Sequence, residues 1–364
     1  MIKRILVIIQ RSNGDVLLSL PLINSLINFY QSPKIDLLVN DDTYQIARLI
    51  PNINSIYQFS YKKKTDKRFK QEKDLISNIF RKYDLSINLT ASDRSVIYSL
   101  MASKKSISAV EKENKKSWWK KLLLKHYYHF DYTNHIVQNN LQPLKYLGIS
   151  TFNNPINLEI SSTAVNKVKS LLRDRNVKDY IIFHPSAQYK YKIYPENLRH
   201  TLLKKLSNLG TTIIVTGSRN KIDLDIKKSL EDTPNIIDFI GETSLEEYIA
   251  LSSFSKGYIG MDTLNMHIAS LQNKRIFAIF GPTILSTWSP WSNELKESAT
   301  QDIPLQTYGN CTIFQANMEC VACGKAGCNN SGISECLNNI DPNIVFEEVK
   351  NWHINRLNSE NTMN

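Results

Sequence analysis

Short apolar runs alternate with amphipathic stretches along most of the chain. Such runs occupy residues 5–9, 35–39, 55–59, 85–89 and 106–110 in the first half, and residues 180–183, 212–216, 236–239, 256–259 and 276–280 in the second. Uninterrupted apolar runs of this length are typical of strands buried in a parallel sheet. Helical patterns lie between them, for example at residues 75–81, and a pattern at residues 343–357 predicts a final helix. The alternation predicts an α/β fold.

A polar segment at residues 148–162 joins the two sets of predicted strands. The chain has 364 residues, which is too long for one compact core and suits two domains of ordinary size. We therefore predict two doubly wound, Rossmann-like domains that face each other across a cleft. The predicted boundaries are residues 1–160 for the first domain, 161–342 for the second, and 343–364 for a C-terminal helix and tail.

The first predicted strand is followed by a polar turn that ends at Asp15. The turn has a single glycine, Gly14, where a dinucleotide-binding fingerprint requires three, so a nicotinamide cofactor is disfavoured. Asp15 lies at the carboxyl end of a strand and beside a helix start, and two interpretations stay open. It is either a helix cap or a carboxylate that faces a cleft as a general base.

A second turn, within residues 257–282, joins a strand to a short helix that carries His267. Asp262 and Thr263 occupy this turn, and the amides of Thr263 and Leu264 would open the helix. Free amides at a helix start suit an anion, so we predict that a nucleotide diphosphate binds here. The alternatives are that Asp262 or Thr263 caps the helix and that His267 is a structural imidazole.

A third turn follows the predicted strand at residues 180–183 and carries Ser186, Lys190 and Lys192. Two ammonium groups between a strand end and a helix start are well placed to neutralise phosphate oxygens, and a serine hydroxyl can donate to the same oxygens. The alternative is a solvated lysine pair.

Together these turns resemble glycosyltransferase family 9, the heptosyltransferases of lipopolysaccharide core synthesis. The resemblance covers nearly the whole chain and is densest at residues 181–291. Two departures concern the donor: Leu264 stands where the family often has glycine, and Lys221 or Asp223 falls near a glutamate that commonly contacts the nucleoside. The matching stretches are residues 12–17 with Pro21, Lys192 with Tyr194 and Pro195, residues 241–247, 260–263, 267–269 and 280–283, Trp288, Pro290 and Trp291.

The resemblance implies a GT-B architecture, in which the last helix (343–364) packs back on the first domain. It also implies an inverting, metal-independent transfer of heptose from ADP-heptose to a lipopolysaccharide or lipooligosaccharide core acceptor, with no cofactor required. Asp15 would be the catalytic base. The donor-binding residues would be Ser186, Lys190, Lys192, Asp262, Thr263, Leu264 and His267.

Three alternatives to this function remain. One is a family-related transferase that uses another nucleotide sugar, such as an N-acetylglucosamine donor. A nucleotide-sugar epimerase of similar fold is the second, and a non-catalytic basic module that binds a surface is the third.

The formal net charge is +11, and much of it is concentrated at residues 61–73 and 112–128. Basic runs are usually solvated surface. The second run also contains Trp118, Trp119, Lys120 and Lys121, a mixture that suits an anionic bilayer or the acceptor glycolipid. No zinc-finger, helix-turn-helix or RNA-recognition signature accompanies the charge, so nucleic acid is not an expected partner. The first apolar run is too short for a signal peptide or membrane span, which predicts a cytoplasmic protein that is peripheral at the inner membrane.

The cysteines are concentrated near the end of the chain. After Cys311, the spacing C-x2-C-x4-C-x7-C joins Cys320, Cys323, Cys328 and Cys336. Disulfides are not expected in a cytosolic protein. The four thiols either hold a structural zinc ion or are reduced and partly buried. No Asp-x-Asp pair lies at a predicted strand end, so no catalytic metal is predicted.

Overall fold

The computed structural model of the protein describes residues 2–62, 65–112, 115–150 and 158–363. The chain divides into two compact units, Met1–Glu159 and Ile160–Asn364. Much of the predicted polar connection lies outside the described residues. Each unit has its own sheet, and the strands at the centre of each sheet are buried on both faces, as the apolar runs predicted.

The described part of the first unit contains one sheet of six parallel strands in the order β3-β2-β1-β4-β5-β6. The order reverses direction at β1, so β1 and β4 form the topological switch point of a doubly wound sheet. The strands are β1 (Arg4–Ile9), β2 (Lys34–Asn40), β3 (Ile53–Phe59), β4 (Leu85–Asn88), β5 (Ser106–Val110) and β6 (His126–His129).

Two helices with a break between them follow β1. Ser19 lies at the break, and its hydroxyl donates to the carbonyl of Val16 at 2.7 Å. Serine competes for backbone groups in this way, which favours a helix boundary. The helices of this unit are α1 (Asn13–Leu17), α2 (Leu20–Phe29), α3 (Tyr44–Ala47), α4 (Thr65–Ile79), α5 (Asp93–Ala102), α6 (Trp118–Leu123) and α7 (Ile136–Leu147).

The described part of the second unit contains a seven-stranded sheet in the order β12-β13-β11-β10-β7-β8-β9. Its switch point lies between β7 and β10. The strands are β7 (Tyr180–His184), β8 (Thr212–Val215), β9 (Ile236–Asp238), β10 (Gly257–Met261), β11 (Arg275–Ile279), β12 (Leu305–Tyr308) and β13 (Cys311–Phe314). The helices are α8 (Ser162–Asp174), α9 (Glu196–Leu206), α10 (Lys221–Lys228), α11 (Leu245–Phe254), α12 (Leu264–Leu271), α13 (Leu285–Trp288) and α14 (Pro342–Met363).

Three strands were not predicted from the sequence: β6, β12 and β13. β6 has the sequence His-Tyr-Tyr-His, which lacks an aliphatic run. β12 pairs with β13 in the antiparallel direction and joins it by a tight turn, so the expectation of parallel strands alone is wrong at this edge.

The last helix, α14, is longer than the pattern at residues 343–357 predicted. Trp352 of α14 packs edge-on against Phe277 of β11, with 5.6 Å between the ring centroids. This contact holds α14 on the sheet of the second unit. Packing of residues 343–364 on the first domain stays a prediction.

Candidate active site

The predicted turns of the second unit meet at its switch point, where the carboxyl ends of β7, β8 and β10 lie side by side. Gly260 lets β10 approach β7 closely, because a Cβ atom there would lie 2.5 Å from the carbonyl oxygen of His184. Ligands of open α/β sheets bind outside the carboxyl ends of the strands at such a point. This edge is therefore the candidate nucleotide site.

His184, the last residue of β7, connects three of the surrounding segments. Its Nδ1 lies 3.0 Å from the hydroxyl of Thr216, and its Nε2 lies 3.4 Å from the hydroxyl of Ser186. The amide nitrogen of Asn265, on α12, lies 3.0 Å from Nδ1. Burial lowers the pKa of His184 to about 4, against a smaller opposing effect of Asp223, so the ring is neutral at pH 7. Ser186 thus lies at the candidate site, next to a histidine that the sequence analysis did not assign.

Lys192 and Asp262, predicted separately, form an ion pair. The ammonium of Lys192 donates to Oδ2 of Asp262 at 2.6 Å across the end of the sheet. The carboxylate is buried, whereas the lysine side chain is 23% exposed. A lysine ammonium has three N–H donors, and Asp262 uses one of them. Lys192 is thus held at the switch point with donors left for a second anion.

The start of α12 lacks the cap that the alternative interpretation required. Thr263 is the N-cap residue and has extended backbone angles, yet among the described residues its side chain accepts no capping hydrogen bond. The side chains of Asn220 and Ser244, by contrast, accept backbone N–H groups at the starts of α10 and α11. The first amides of α12, including that of the half-buried Leu264, therefore keep the polarity that suits phosphate.

His267 lies one turn into α12, where it is buried. Burial lowers its pKa to about 4; Asp262 opposes this shift and Lys192 adds to it. Within the described part of the chain, its Nδ1 has no hydrogen-bond partner. Because the ring also lies near the charges of Asp262 and Lys192, this free nitrogen favours a ligand contact over the purely structural interpretation.

Lys190 is exposed at the start of the short 3-10 helix Lys190–Lys192. It is flanked by Tyr189 and Tyr191, whose rings stack with centroids 5.4 Å apart. The solvated interpretation therefore stays open for Lys190.

Asp223 is a further candidate, at the start of α10. It is buried, whereas Lys221 is exposed. Its Oδ2 accepts from the backbone N–H of Ser218 and from the amide of Asn220, while its Oδ1 has no partner among the described residues. Its signal in the sequence was its position just after the Thr216-Gly217 turn. Of Lys221 and Asp223, the two residues near the family's glutamate position, only Asp223 is buried.

In the first unit, Asp15 lies in the first turn of α1. Its Oδ2 accepts from the backbone N–H of Ser12 at 3.1 Å and from the Ser12 hydroxyl at 2.6 Å. Its Oδ1 lies 2.9 Å from Nε of Arg11, whose guanidinium lies over the ring of Phe130 at 4.7 Å. These contacts are those of a capping carboxylate, and catalysis by Asp15 stays a prediction.

The basic helix α6 requires a correction. Lys120 is 0% exposed, and its ammonium binds Asp93 and Glu111, each at 2.8 Å. Trp119 is half-buried against the apolar cluster that includes Val96. Lys120 faces inward, so the prediction that it forms part of an outer surface is wrong, whereas Trp119 stays partly exposed. Lys121 and Trp118 do face solvent.

The cysteines do not support the zinc hypothesis. Cys320 and Cys323 are exposed, Cys328 is half-buried and Cys336 is buried, and all are free thiols. Burial, together with the neighbouring thiols, raises the pKa of Cys336 to about 11, so this thiol stays protonated at pH 7. In the part of the chain that the structure describes, no group of three or more histidine, cysteine or acidic side chains could hold a metal ion.

Comparison with known proteins identifies relatives of this chain. Lipopolysaccharide heptosyltransferase 3 of Escherichia coli is 27% identical over 299 residues, which cover 79% of this chain and 86% of that protein. The glycosyltransferase family 9 structure from Veillonella parvula DSM 2008 has a TM-score of 0.76 at 18% identity and covers 97% of both chains. E. coli heptosyltransferase WaaC with ADP-2-deoxy-2-fluoro heptose has a TM-score of 0.67 at 16% identity, covering 96% of this chain and 99% of that one.

These structural similarities confirm the predicted fold class of two Rossmann-like α/β domains of GT-B type. The sequence profile of glycosyltransferase family 9 (heptosyltransferase) matches residues 73–311, well over half of the chain. The protein belongs to glycosyltransferase family 9 and is a glycosyltransferase.

Proposed function

We propose that the protein transfers a heptose from ADP-heptose to the core of a lipopolysaccharide or lipooligosaccharide, with inversion and without a metal ion. The named relative is a lipopolysaccharide heptosyltransferase, and the WaaC structure was solved with an ADP-heptose analogue. The observation that carries the proposal is the uncapped start of α12 with Lys192 beside it. Together they offer amide and ammonium donors to an anion such as a diphosphate.

In this proposal the diphosphate of the donor rests on the first amides of α12. Lys192 and the hydroxyls of Ser186 and Thr263 donate to its oxygens. The leaving diphosphate gains negative charge as the bond to the sugar breaks, so donors fixed in advance stabilise the transition state by about 3 kcal/mol each. This arrangement supplies from protein groups the charge stabilisation that other transferases take from a metal ion.

Asp223 and His267 complete donor recognition. The Oδ1 atom of Asp223, which has no partner among the described residues, accepts a hydrogen bond from a ribose hydroxyl. Acidic side chains bind the ribose in this way in other doubly wound folds. The neutral ring of His267 bonds through Nδ1 to the sugar or nucleotide. Both assignments satisfy a buried polar atom that the protein leaves open.

Asp15 is the proposed base. An acceptor hydroxyl attacks the anomeric carbon, its proton passes to the Asp15 carboxylate, and the bond from that carbon to the diphosphate oxygen breaks. General-base assistance of this kind contributes about 10²- to 10⁴-fold to the rate. Both oxygens of Asp15 now contact Ser12 or Arg11, so Arg11 must share the carboxylate with the incoming hydroxyl.

The proposed acceptor is an anionic glycolipid at the cytoplasmic face of the inner membrane. Among the described helices, none is both long enough and apolar enough to cross a membrane. The outer face of α6 carries Trp118 and Leu122, 66% and 73% exposed, next to the exposed Lys121. Aromatic and aliphatic groups beside ammonium groups suit the interface of an anionic bilayer.

Donor competition tests the chemistry. Purified enzyme is given ADP-heptose, UDP-N-acetylglucosamine or GDP-mannose with a deacylated core acceptor, with and without EDTA, and products are identified by mass spectrometry and NMR. Transfer from ADP-heptose alone, with an inverted anomeric centre and no effect of EDTA, is expected. Turnover only with the uridine donor would refute heptose transfer.

Sedimentation with vesicles tests the membrane surface. Paired replacement of Trp118 and Leu122 by serine should reduce binding to phosphatidylglycerol vesicles, whereas Leu295→Ser, an exposed leucine of the second unit, should not. Equal binding of both variants would remove α6 from the proposal.

A further inference from the structure

A cavity of about 640 Å³ lies in the first unit along β6, the edge strand of the sheet. Lys125, His126 and His129 line it from the strand side, and Gln142 and Tyr146 line it from α7. The volume is within the range of small-molecule sites, about 300–1,000 Å³. Nothing in the donor chemistry described above uses this cavity.

The walls of the cavity are fixed by contacts within the unit. The hydroxyl of Tyr146 donates to the carbonyl of Tyr127 at 2.5 Å, which ties α7 to the open edge of β6. The ring of Tyr146 also packs against that of His126, with 5.5 Å between centroids. Because Tyr146 and His126 are positioned before a ligand arrives, less ordering entropy opposes binding.

The lining has the chemistry of a site for an anionic sugar. Lys125 brings a positive charge, the two imidazoles and the amide of Gln142 bring hydrogen bonds, and tyrosine brings a flat apolar face with a polar end. The one carboxylate of the lining, Asp131, accepts hydrogen bonds from residues of its own turn. Its oxygens accept from the N–H and hydroxyl of Thr133, at 2.9 and 2.6 Å, and from Asn134 at 3.0 Å.

One end of the cavity approaches the predicted base. His129 and Asp131 line the cavity, and the residue between them is Phe130. The guanidinium that lies over the Phe130 ring belongs to Arg11, which pairs with Asp15 at 2.9 Å. Three strand spacings separate β6 from β1, roughly 14 Å. A ligand held in the cavity must therefore be longer than one sugar to come near Asp15.

The other end of the cavity approaches the outer face of α6. Lys125 follows α6 after one buried residue, Leu124. Leu123, at the end of that helix, is 58% exposed. A glycolipid whose acyl chains lie in the bilayer at α6 would thus bring its sugar part past Lys125.

We propose that this cavity binds the phosphorylated sugar segment of the acceptor and presents the next sugar to Asp15. The proposal rests on the proposed heptosyl transfer and names where its acceptor binds. It predicts that the cavity residues control acceptor affinity and leave donor affinity alone.

The test measures KM for a deacylated, phosphorylated lipooligosaccharide core and for ADP-heptose. Lys125→Met should raise the acceptor KM about tenfold, the loss of one charge-assisted hydrogen bond. His129→Ala combined with Gln142→Ala should also raise it about tenfold, through the loss of two neutral hydrogen bonds to the sugar. The donor KM should stay at the wild-type value. Lys125 is exposed, so its replacement does not threaten folding. Matched controls are Lys70→Met and Asn78→Ala, which line a second cavity between β3 and α4 and should change neither constant.

A core treated with hydrofluoric acid to remove phosphate separates charge from sugar. Lys125→Met should lose its effect with this acceptor, while the paired variant should keep it. An acceptor KM unchanged in both variants would overturn the proposal. If the wild-type protein transfers no heptose, calorimetric titration of the phosphorylated core without donor still decides it: wild-type binding weakened by Lys125→Met supports the cavity, and equal or no binding rejects it.

Discussion

Two helix starts, those of α1 and α12, occupy equivalent positions after central strands, yet their carboxylates are used in opposite ways. At α1, Asp15 accepts hydrogen bonds from the backbone N–H and the hydroxyl of the N-cap residue Ser12. At α12, Asp262 turns away from the helix toward Lys192, and Thr263 leaves the cap empty. The first start carries its own negative charge, whereas the second is open to one from outside.

The cations that hold these carboxylates also differ in origin. Arg11 is four residues from Asp15, but Lys192 is 70 residues from Asp262. A local pair forms wherever its turn forms, while a distant pair requires the assembled sheet. The geometry of the first turn is thus set locally, whereas that of the second depends on the assembled sheet.

Replacing Asp15 should give the largest effect. Asp15→Asn keeps an oxygen to accept from Ser12 but removes the base, so kcat should fall about 10²- to 10⁴-fold. Donor affinity, measured by titration with ADP, should not change. If Asp15→Asn keeps wild-type activity, Asp15 is only a helix cap and not the base. Asp15→Ala should in addition cost about 1 kcal/mol of unfolding free energy.

Replacing Lys192 tests the other turn. Lys192→Met removes the cation at α12 and leaves Asp262 unpaired, so kcat/KM for the donor should fall about a hundredfold, equivalent to one lost transition-state donor. Lys190→Met is the matched control and should have a much smaller effect because Lys190 is exposed. Equal losses in both variants would mean that a diffuse charge, not the ordered pair, binds the donor.

Acid should destabilise the second turn through its histidines. The unfolded chain protonates histidine near pH 6.5, whereas His184 and His267 resist protonation until about pH 4. Between these values the unfolded state binds more protons, so stability is complete above pH 6.5 and falls as the pH decreases. Each histidine contributes a loss of about 3 kcal/mol at pH 4. Chemical denaturation at pH 7, 5.5 and 4.5 measures the free energy of unfolding. If this free energy depends on pH in His267→Asn as it does in the wild type, His267 is not the cause.

Supplying the missing cap of α12 should give the smallest effect, and it should change stability and ADP binding in opposite directions. Thr263→Asp supplies a carboxylate to the first amides of α12, so thermal stability should rise by about 0.5–1 kcal/mol while ADP binding weakens. Thr263→Ser is the control and should change neither. Tighter binding of ADP by Thr263→Asp would contradict an anion site at this helix start.

The sequence predicted the sheets well because buried parallel strands carry uninterrupted aliphatic runs. It did not reveal β6, whose residues His126–His129 are aromatic and polar, since an edge strand need not be apolar on both sides. It placed Lys192 and Asp262 in the site because both follow strand ends. Their ion pair could not be foreseen, because it depends on which strands become neighbours.

The inward orientation of Lys120 was also beyond the sequence. In Trp-Trp-Lys-Lys-Leu-Leu the two lysines look alike, and only the carboxylates of Asp93 and Glu111 at the ends of neighbouring elements select one of them. Similarly, the orphan atoms of Asp223 and His267 come from burial by several segments at once.

The buried ammonium of Lys120 makes two adjacent, chemically identical residues distinguishable by a reagent. An acylating agent for amines should modify Lys121 rapidly and spare Lys120 until the unit opens, because only the former reaches water. The ratio of the two modified peptides in a mass spectrum therefore reports opening of the first unit, and shielding of Lys121 reports whatever covers the outer face of α6.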